Sequence, residues 1–131
     1  MKPNKKTPEN DIRNIDVLMK FLSEDVISLF YDTLDYIESL GDDIEKRPAK
    51  RYISYKTYRI FVSVIPDRRG LFVNMLLDPK SFVTDGDYLR DKSEAKSYGP
   101  GRLQAFVRNR DELEKTKQYI KRAYNENSYV V

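Results

Sequence analysis

Tyr52-Ile53-Ser54-Tyr55-Lys56 alternates apolar and polar residues with a period of two. A half-buried β-strand places successive side chains on opposite faces and needs that spacing; a helix would scatter it around its circumference. The residues before it repeat differently. From Glu24 to Leu40, Val26, Phe30, Leu34 (or Thr33), Ile37 and Leu40 recur at three- and four-residue steps, the stripe of an amphipathic helix. Ser23 suits the N-cap, and Glu24 and Asp25 suit the positive end of the helix dipole. Gly41 is expected to stop the helix in the left-handed conformation. Upstream, Asn14 can cap a first turn around Ile15, Leu18, Met19 and Leu22.

Pro48 cannot continue a helix and reads as part of a linker. Strands are expected over Arg51–Lys56 and Tyr58–Ile65, with a tight turn near Thr57. Pro66-Asp67-Arg68-Arg69-Gly70 has the composition of a turn, and Leu71–Leu77 follows as a third strand. Arg102–Arg108 alternates Leu103, Ala105 and Val107 with Gln104, Phe106 and Arg108 as a fourth. Asp78 to Gly101 is long, polar and turn-rich. Segments of that length are functional or hold a short element of their own; Phe82, Val83, Tyr88 and Leu89 could anchor it on the core. Asp111–Tyr124 closes the domain as a helix, capped by Asn109 or Asp111. Its acids come first and its cations later, and its stripe is Leu113, Thr116, Ile120 and Tyr124 or Ala123. The expected fold is α+β: a two-layer domain with an antiparallel sheet of about four strands and both helices on one face. Residues 1–13 read as a disordered basic leader, 14–125 as one domain and 126–131 as a tail.

The chain has 131 residues, 40% of them hydrophobic, enough for one core. It contains no Cys and no His. Disulfides, thiolate nucleophiles, His-dependent triads and the usual zinc sites are therefore excluded. Catalysis would have to run on carboxylates, Lys, Tyr or bound magnesium. The chain reads as non-catalytic, with no cofactor and no metal. Without a long apolar run or a signal peptide, a cytoplasmic location and no membrane association are expected. Net charge is only +3, but it is unevenly spread. Residues 32–45 carry Asp32, Asp35, Glu38, Asp42, Asp43 and Glu45 with no Lys or Arg. Residues 46–59 carry Lys46, Arg47, Lys50, Arg51, Lys56 and Arg59 with no acid, interleaved with Tyr52, Tyr55 and Tyr58.

Gly41-Asp42-Asp43-Ile44-Glu45-Lys46-Arg47-Pro48, then Lys50 and Tyr52-Ile53-Ser54-Tyr55-Lys56, resembles a bacterial and archaeal domain of unknown function. The resemblance continues through Asp78-Pro79-Lys80, Leu89-Arg90-Asp91 and the Tyr98-Gly99-x-Gly101 turn to the helix Glu112–Asn125. That family often forms the C-terminal module of chains labelled "predicted transport protein", behind a restriction-nuclease-like domain. Its turn usually has Trp where this chain has Tyr98. The resemblance implies an α+β fold and no particular activity.

If Ile53, Tyr55, Ile60, Val62, Val64, Val73 and Val107 face the core, the opposite face presents cations among aromatics. The candidate binding residues are Lys50, Tyr52, Lys56, Arg59, Phe61, Asn74, Arg102 and Arg108, with Ser54, Phe72, Gln104 and Phe106 beside them. Such a surface can hold phosphates and stack bases, so nucleic acid or a nucleotide is the expected ligand. The rings of Phe61, Phe72 and Phe106 could equally form a second small core, and the same face could join a second copy or a partner domain. Four weaker signals stand beside it. Tyr98-Gly99-Pro100-Gly101-Arg102 could offer backbone N–H groups to an anion, but Pro100 removes one and an ordinary turn explains it. Asp42, Asp43 and Glu45 near Lys50 lack a strand carboxylate for a magnesium site and read as a solvated loop. Asp85-Gly86-Asp87, with Asp91 and Glu94, fails calcium-loop spacing and reads as a turn. Arg68-Arg69 is a charged loop tip.

Overall fold

The computed structural model describes residues 15–93 and 102–128. A helical turn at residues 15–19 precedes helix α1, Glu24–Glu38. Strands β1 (Glu45–Pro48), β2 (Ile53–Lys56), β3 (Ile60–Asp67) and β4 (Gly70–Met75) follow. A short 3₁₀ turn (Pro79–Ser81), β5 (Leu89–Asp91), β6 (Leu103–Val107) and helix α2 (Arg110–Glu126) complete the order. The six strands form one antiparallel sheet in the order β1-β2-β3-β4-β6-β5.

Local chemistry sets the helix ends. Ser23 Oγ accepts from the Val26 N–H at 3.2 Å, and Asn109 Oδ1 accepts from the Glu112 N–H at 2.9 Å. Each satisfies one of the amides that a helix start leaves without a partner. α1 buries Val26, Leu29, Phe30, Thr33, Leu34 and Ile37. α2 buries Leu113, Thr116, Ile120 and Ala123. Both stripes meet Tyr55, Val62, Val64, Leu71, Val73, Met75 and Leu103 in one core on the helix side of the sheet. Removing each such side chain from water contributes about 1.5–3 kcal/mol. Tyr36 Oη donates to the Lys117 carbonyl at 3.1 Å, and Arg110 pairs with Asp32, so the two helices are tied along their length.

Two strands lie beyond the expected four. β1 occupies the charged run ending in Pro48. A Pro and three charged residues suit an edge strand, where one side of the backbone needs no ladder partner and charge opposes edge-to-edge association. β5 is three residues inside the long excursion and pairs on the outer side of β6. The excursion therefore extends the sheet at its other edge. The Tyr88 and Thr116 hydroxyls share a hydrogen bond at 2.8 Å, tying the excursion to α2, and the Phe82 ring meets Tyr119 edge-on at 5.4 Å. Val83, by contrast, is exposed.

The expected turn at Pro66 lies two residues later. β3 continues through Pro66 to Asp67, and Arg68-Arg69 makes the turn. Pro66 is tolerated because β2 pairs with β3 only as far as Val64, so its missing N–H costs no ladder bond there. Gly41 does not play the expected left-handed role. α1 ends at Glu38 with Ser39 as its C-cap, and among the described residues only Gly86 has positive φ, at 76°. What Gly41 supplies is space: a Cβ there would collide with Tyr124 Oη.

Candidate cationic cleft

Antiparallel pairing divides the expected binding residues between two ends of the sheet. Lys50 and Tyr52 lie at the β1–β2 turn, and Arg108 lies just past β6 at that same end. Lys56, Arg59 and Arg102 lie at the opposite end. The extended chain from Arg102 to Arg108 spans roughly 20 Å. One continuous groove through all eight residues does not form.

The middle of the expected face is not open either. Phe61, expected to be exposed, is 0% exposed. Lys56 pairs with Ile60 while Tyr55 pairs with Val62, so Phe61 is the extra residue of a bulge. A bulge re-aims a side chain, and the Phe61 ring packs on the helix side against Tyr124 with centroids 5.5 Å apart. Ser54, Ser63, Asn74 and Gln104 form a cross-strand row on the other face, and all four are buried. Ser54 and Ser63 share a hydrogen bond at 2.8 Å. Gln104 Nε2 donates to Asn74 Oδ1 at 2.9 Å. Their polar groups serve the sheet, as buried polar groups must.

Phe72 and Phe106 stack at 4.6 Å and 13°. The guanidiniums of Arg69, Arg90 and Arg108 lie 5.1, 5.9 and 5.2 Å from the Phe106 centroid, so Phe106 is buried beneath cations. Arg108 is already committed. Its guanidinium makes two bonds of 3.1 Å to Asp87, and bonds of 2.7 and 3.1 Å to Glu112. Its backbone N–H donates to Glu112 as well, at 2.8 Å. The Glu112 carboxyl is held below its ordinary range, chiefly by these bonds from Arg108.

At the opposite end the cations are differently placed. A cleft of about 1060 Å³ is lined by Arg59, Lys80, Lys92 and Arg102, with Asp78, Asp91 and Glu126. Backbone bonds hold the segments that carry these side chains together: the Arg102 N–H donates to the Met75 carbonyl at 3.0 Å, and the Lys92 N–H donates to the Arg102 carbonyl at 2.7 Å. The end of α2 is tied to this end of the sheet by Asn127, which donates to the Leu76 carbonyl at 3.0 Å and whose carbonyl accepts from Thr57 Oγ1 at 2.7 Å. Two of the acids are occupied locally. Asp78 accepts from the Lys80 N–H and starts the 3₁₀ turn. Asp91 accepts from Ser93 Oγ at 2.6 Å and its N–H at 2.9 Å; those bonds, with the field of Lys80, hold its carboxyl below the usual range. Lys80, Lys92 and Arg102 make no ion pair among the described residues. Arg59 lies over the Tyr58 ring at 5.1 Å.

The sequence points to Arg59 and Arg102 but does not single out Lys80 and Lys92. The signal that could have found them is landmark spacing, since Asp78-Pro79-Lys80 and Leu89-Arg90-Asp91 converge on this cleft. The Tyr98-Gly99-Pro100-Gly101 turn lies outside the described residues. Of the other signals, Asp43 accepts from Tyr124 Oη at 2.7 Å. Asp85 Oδ1 accepts from the Asp87 and Leu89 N–H groups, making the expected turn. Among the described residues no group of three or more acids is placed to hold a metal ion, and no helix is long and apolar enough to cross a membrane.

A two-layer α+β domain with a mixed, cation-rich cleft is thus the class that fold and geometry define. A family profile described as "Domain of unknown function (DUF5655)" matches residues 17–127, and the chain belongs to that family. No curated protein matches the chain, and no solved structure does.

Proposed function

We propose that this domain is a non-catalytic module that binds a phosphate-bearing ligand, nucleic acid or a nucleotide, in the cleft at the Arg102 end of the sheet. The observation that carries the reading is a set of three cations, Lys80, Lys92 and Arg102, gathered in one cleft with no ion pair among the described residues. Surface cations placed together repel one another, and an anion relieves that repulsion. Arg102 and Arg59 offer planar forks that match phosphate; Lys80 and Lys92 act as point charges. The lining carries four cations against three carboxylates, and one of those carboxylates, Glu126, is paired with Arg122, so the sign of the cleft is positive. The resemblance to modules found behind nuclease-like domains favours nucleic acid within this class.

The test is anisotropy of a fluorescein-labelled single-stranded oligonucleotide and of a fluorescent nucleotide at low salt. Binding of one or both is expected, with Lys80→Glu and Arg102→Glu each weakening it by about tenfold or more. Lys50→Glu, at the far end, is expected to have little effect. Absence of binding to either probe, or equal sensitivity to Lys50→Glu, would contradict the assignment.

A further inference from the structure

At the other end of the sheet a second concavity is built from different chemistry. Leu18 of the first helical turn, with Phe21 and Leu22 just after it, lines a groove of about 600 Å³ together with Ile65, Pro66 and Phe72 of the β3–β4 hairpin. Phe21 is 69% exposed. Arg51, Arg68 and Arg69 stand around the groove with Asp67. Asp67 is taken by Arg69 at 3.3 Å, whereas Arg51 and Arg68 make no ion pair among the described residues.

We infer that this groove docks an acidic, amphipathic segment of a partner protein. Exposed Phe21 and half-buried Leu18, Leu22 and Phe72 leave apolar surface inside a rim of charge, the arrangement of an interaction surface. The uncommitted charge on the rim is positive, so the occupant carries carboxylates beside its apolar anchors; Arg forks pair with carboxylates bidentately. Two competing occupants fit less well. A bilayer is met by a protruding apolar face, and this one is concave. Single-stranded nucleic acid stacks on rings, and most of this apolar lining is aliphatic or Pro. The site is separate from the Arg102 cleft and does not depend on it.

The probe is a labelled helical peptide of about 16 residues, with Leu and Phe on one face and Glu on the rest. Its matched controls replace Glu by Lys, or Leu and Phe by Ser. The acidic amphipathic peptide is expected to bind, and both controls at least about tenfold more weakly. Phe21→Ser and Arg68→Glu change exposed positions, and each is expected to weaken binding by about tenfold, with unchanged thermal melting as the control. Arg102→Glu, in the other cleft, is expected to leave peptide binding unchanged. The proposal is overturned by equal affinity for the Lys peptide, by absence of binding, or by insensitivity to Phe21→Ser. It is also overturned if Phe21→Ser instead abolishes binding to anionic vesicles or oligonucleotide, or halves a doubled mass in light scattering.

Discussion

Arg102 and Arg108 begin and end the same extended segment, yet their surroundings differ. Arg108 is locked between Asp87 and Glu112 by four bonds from its guanidinium and a fifth from its backbone. Arg102 makes no ion pair among the described residues and looks into a cleft with two lysines and a second arginine. One end of the sheet uses its cation to hold β6 to α2 and to the loop before β5. The other leaves its cations available. Charge in a sequence therefore shows where an anion could bind only after internal pairing has been subtracted.

The largest test of that contrast is Phe61→Ala. If Phe61 belongs to the core behind the cleft, its loss costs about 3–5 kcal/mol in chemical denaturation. A loss under about 1 kcal/mol with weakened ligand binding would return Phe61 to the surface. Next, Lys80→Glu with Arg102→Glu should reduce oligonucleotide affinity by about a hundredfold, or about 2.8 kcal/mol. The unfolding midpoint should hardly move, because exposed charges away from packed features change stability within about 0.5 kcal/mol. Gly41→Ala comes third. A methyl group there displaces Tyr124 Oη, the far end of its side chain, from its bond to Asp43, and the expected cost is about 0.5–1.5 kcal/mol in the same denaturation measurement.

The smallest effect concerns pH. Glu112 is depressed below its unfolded value of about 4.3. In the window between the folded and unfolded values the unfolded chain binds more protons, so stability rises with pH. The contribution is fully present above the unfolded value and is lost as pH falls through the folded one. Arg108→Ala should lower the melting temperature at neutral pH and flatten the loss between about pH 5 and pH 3. Arg102→Ala should change neither. Similar pH slopes for the two variants would erase the difference between the ends.

The helices were legible because their signals are local: Ser23 and Asn109 cap within three residues, and the apolar stripes follow the helical period. Central strands were legible from alternation. β1 was hidden because Pro48 reads as linker and Lys46 and Arg47 as part of a basic run, although charge and Pro are what an edge strand accepts. β5 was hidden because three residues give no period. Phe61 defied its parity through one bulged residue, a shift set by pairing between strands. The site was half legible. Arg59 and Arg102 could be named, but Arg108 acquired partners in Asp87, 21 residues away, and in Glu112 on the following helix. No pattern within β6 announces the first of these.

The central claim is most directly tested by the salt dependence of single-stranded oligonucleotide binding. For a ligand that engages about three phosphates, the logarithm of affinity should fall linearly with the logarithm of salt concentration with a slope of about −2. Arg102→Glu should make that slope shallower, and Arg108→Ala should leave it unchanged. A salt-independent affinity, or a slope altered by Arg108→Ala and not by Arg102→Glu, would contradict the account.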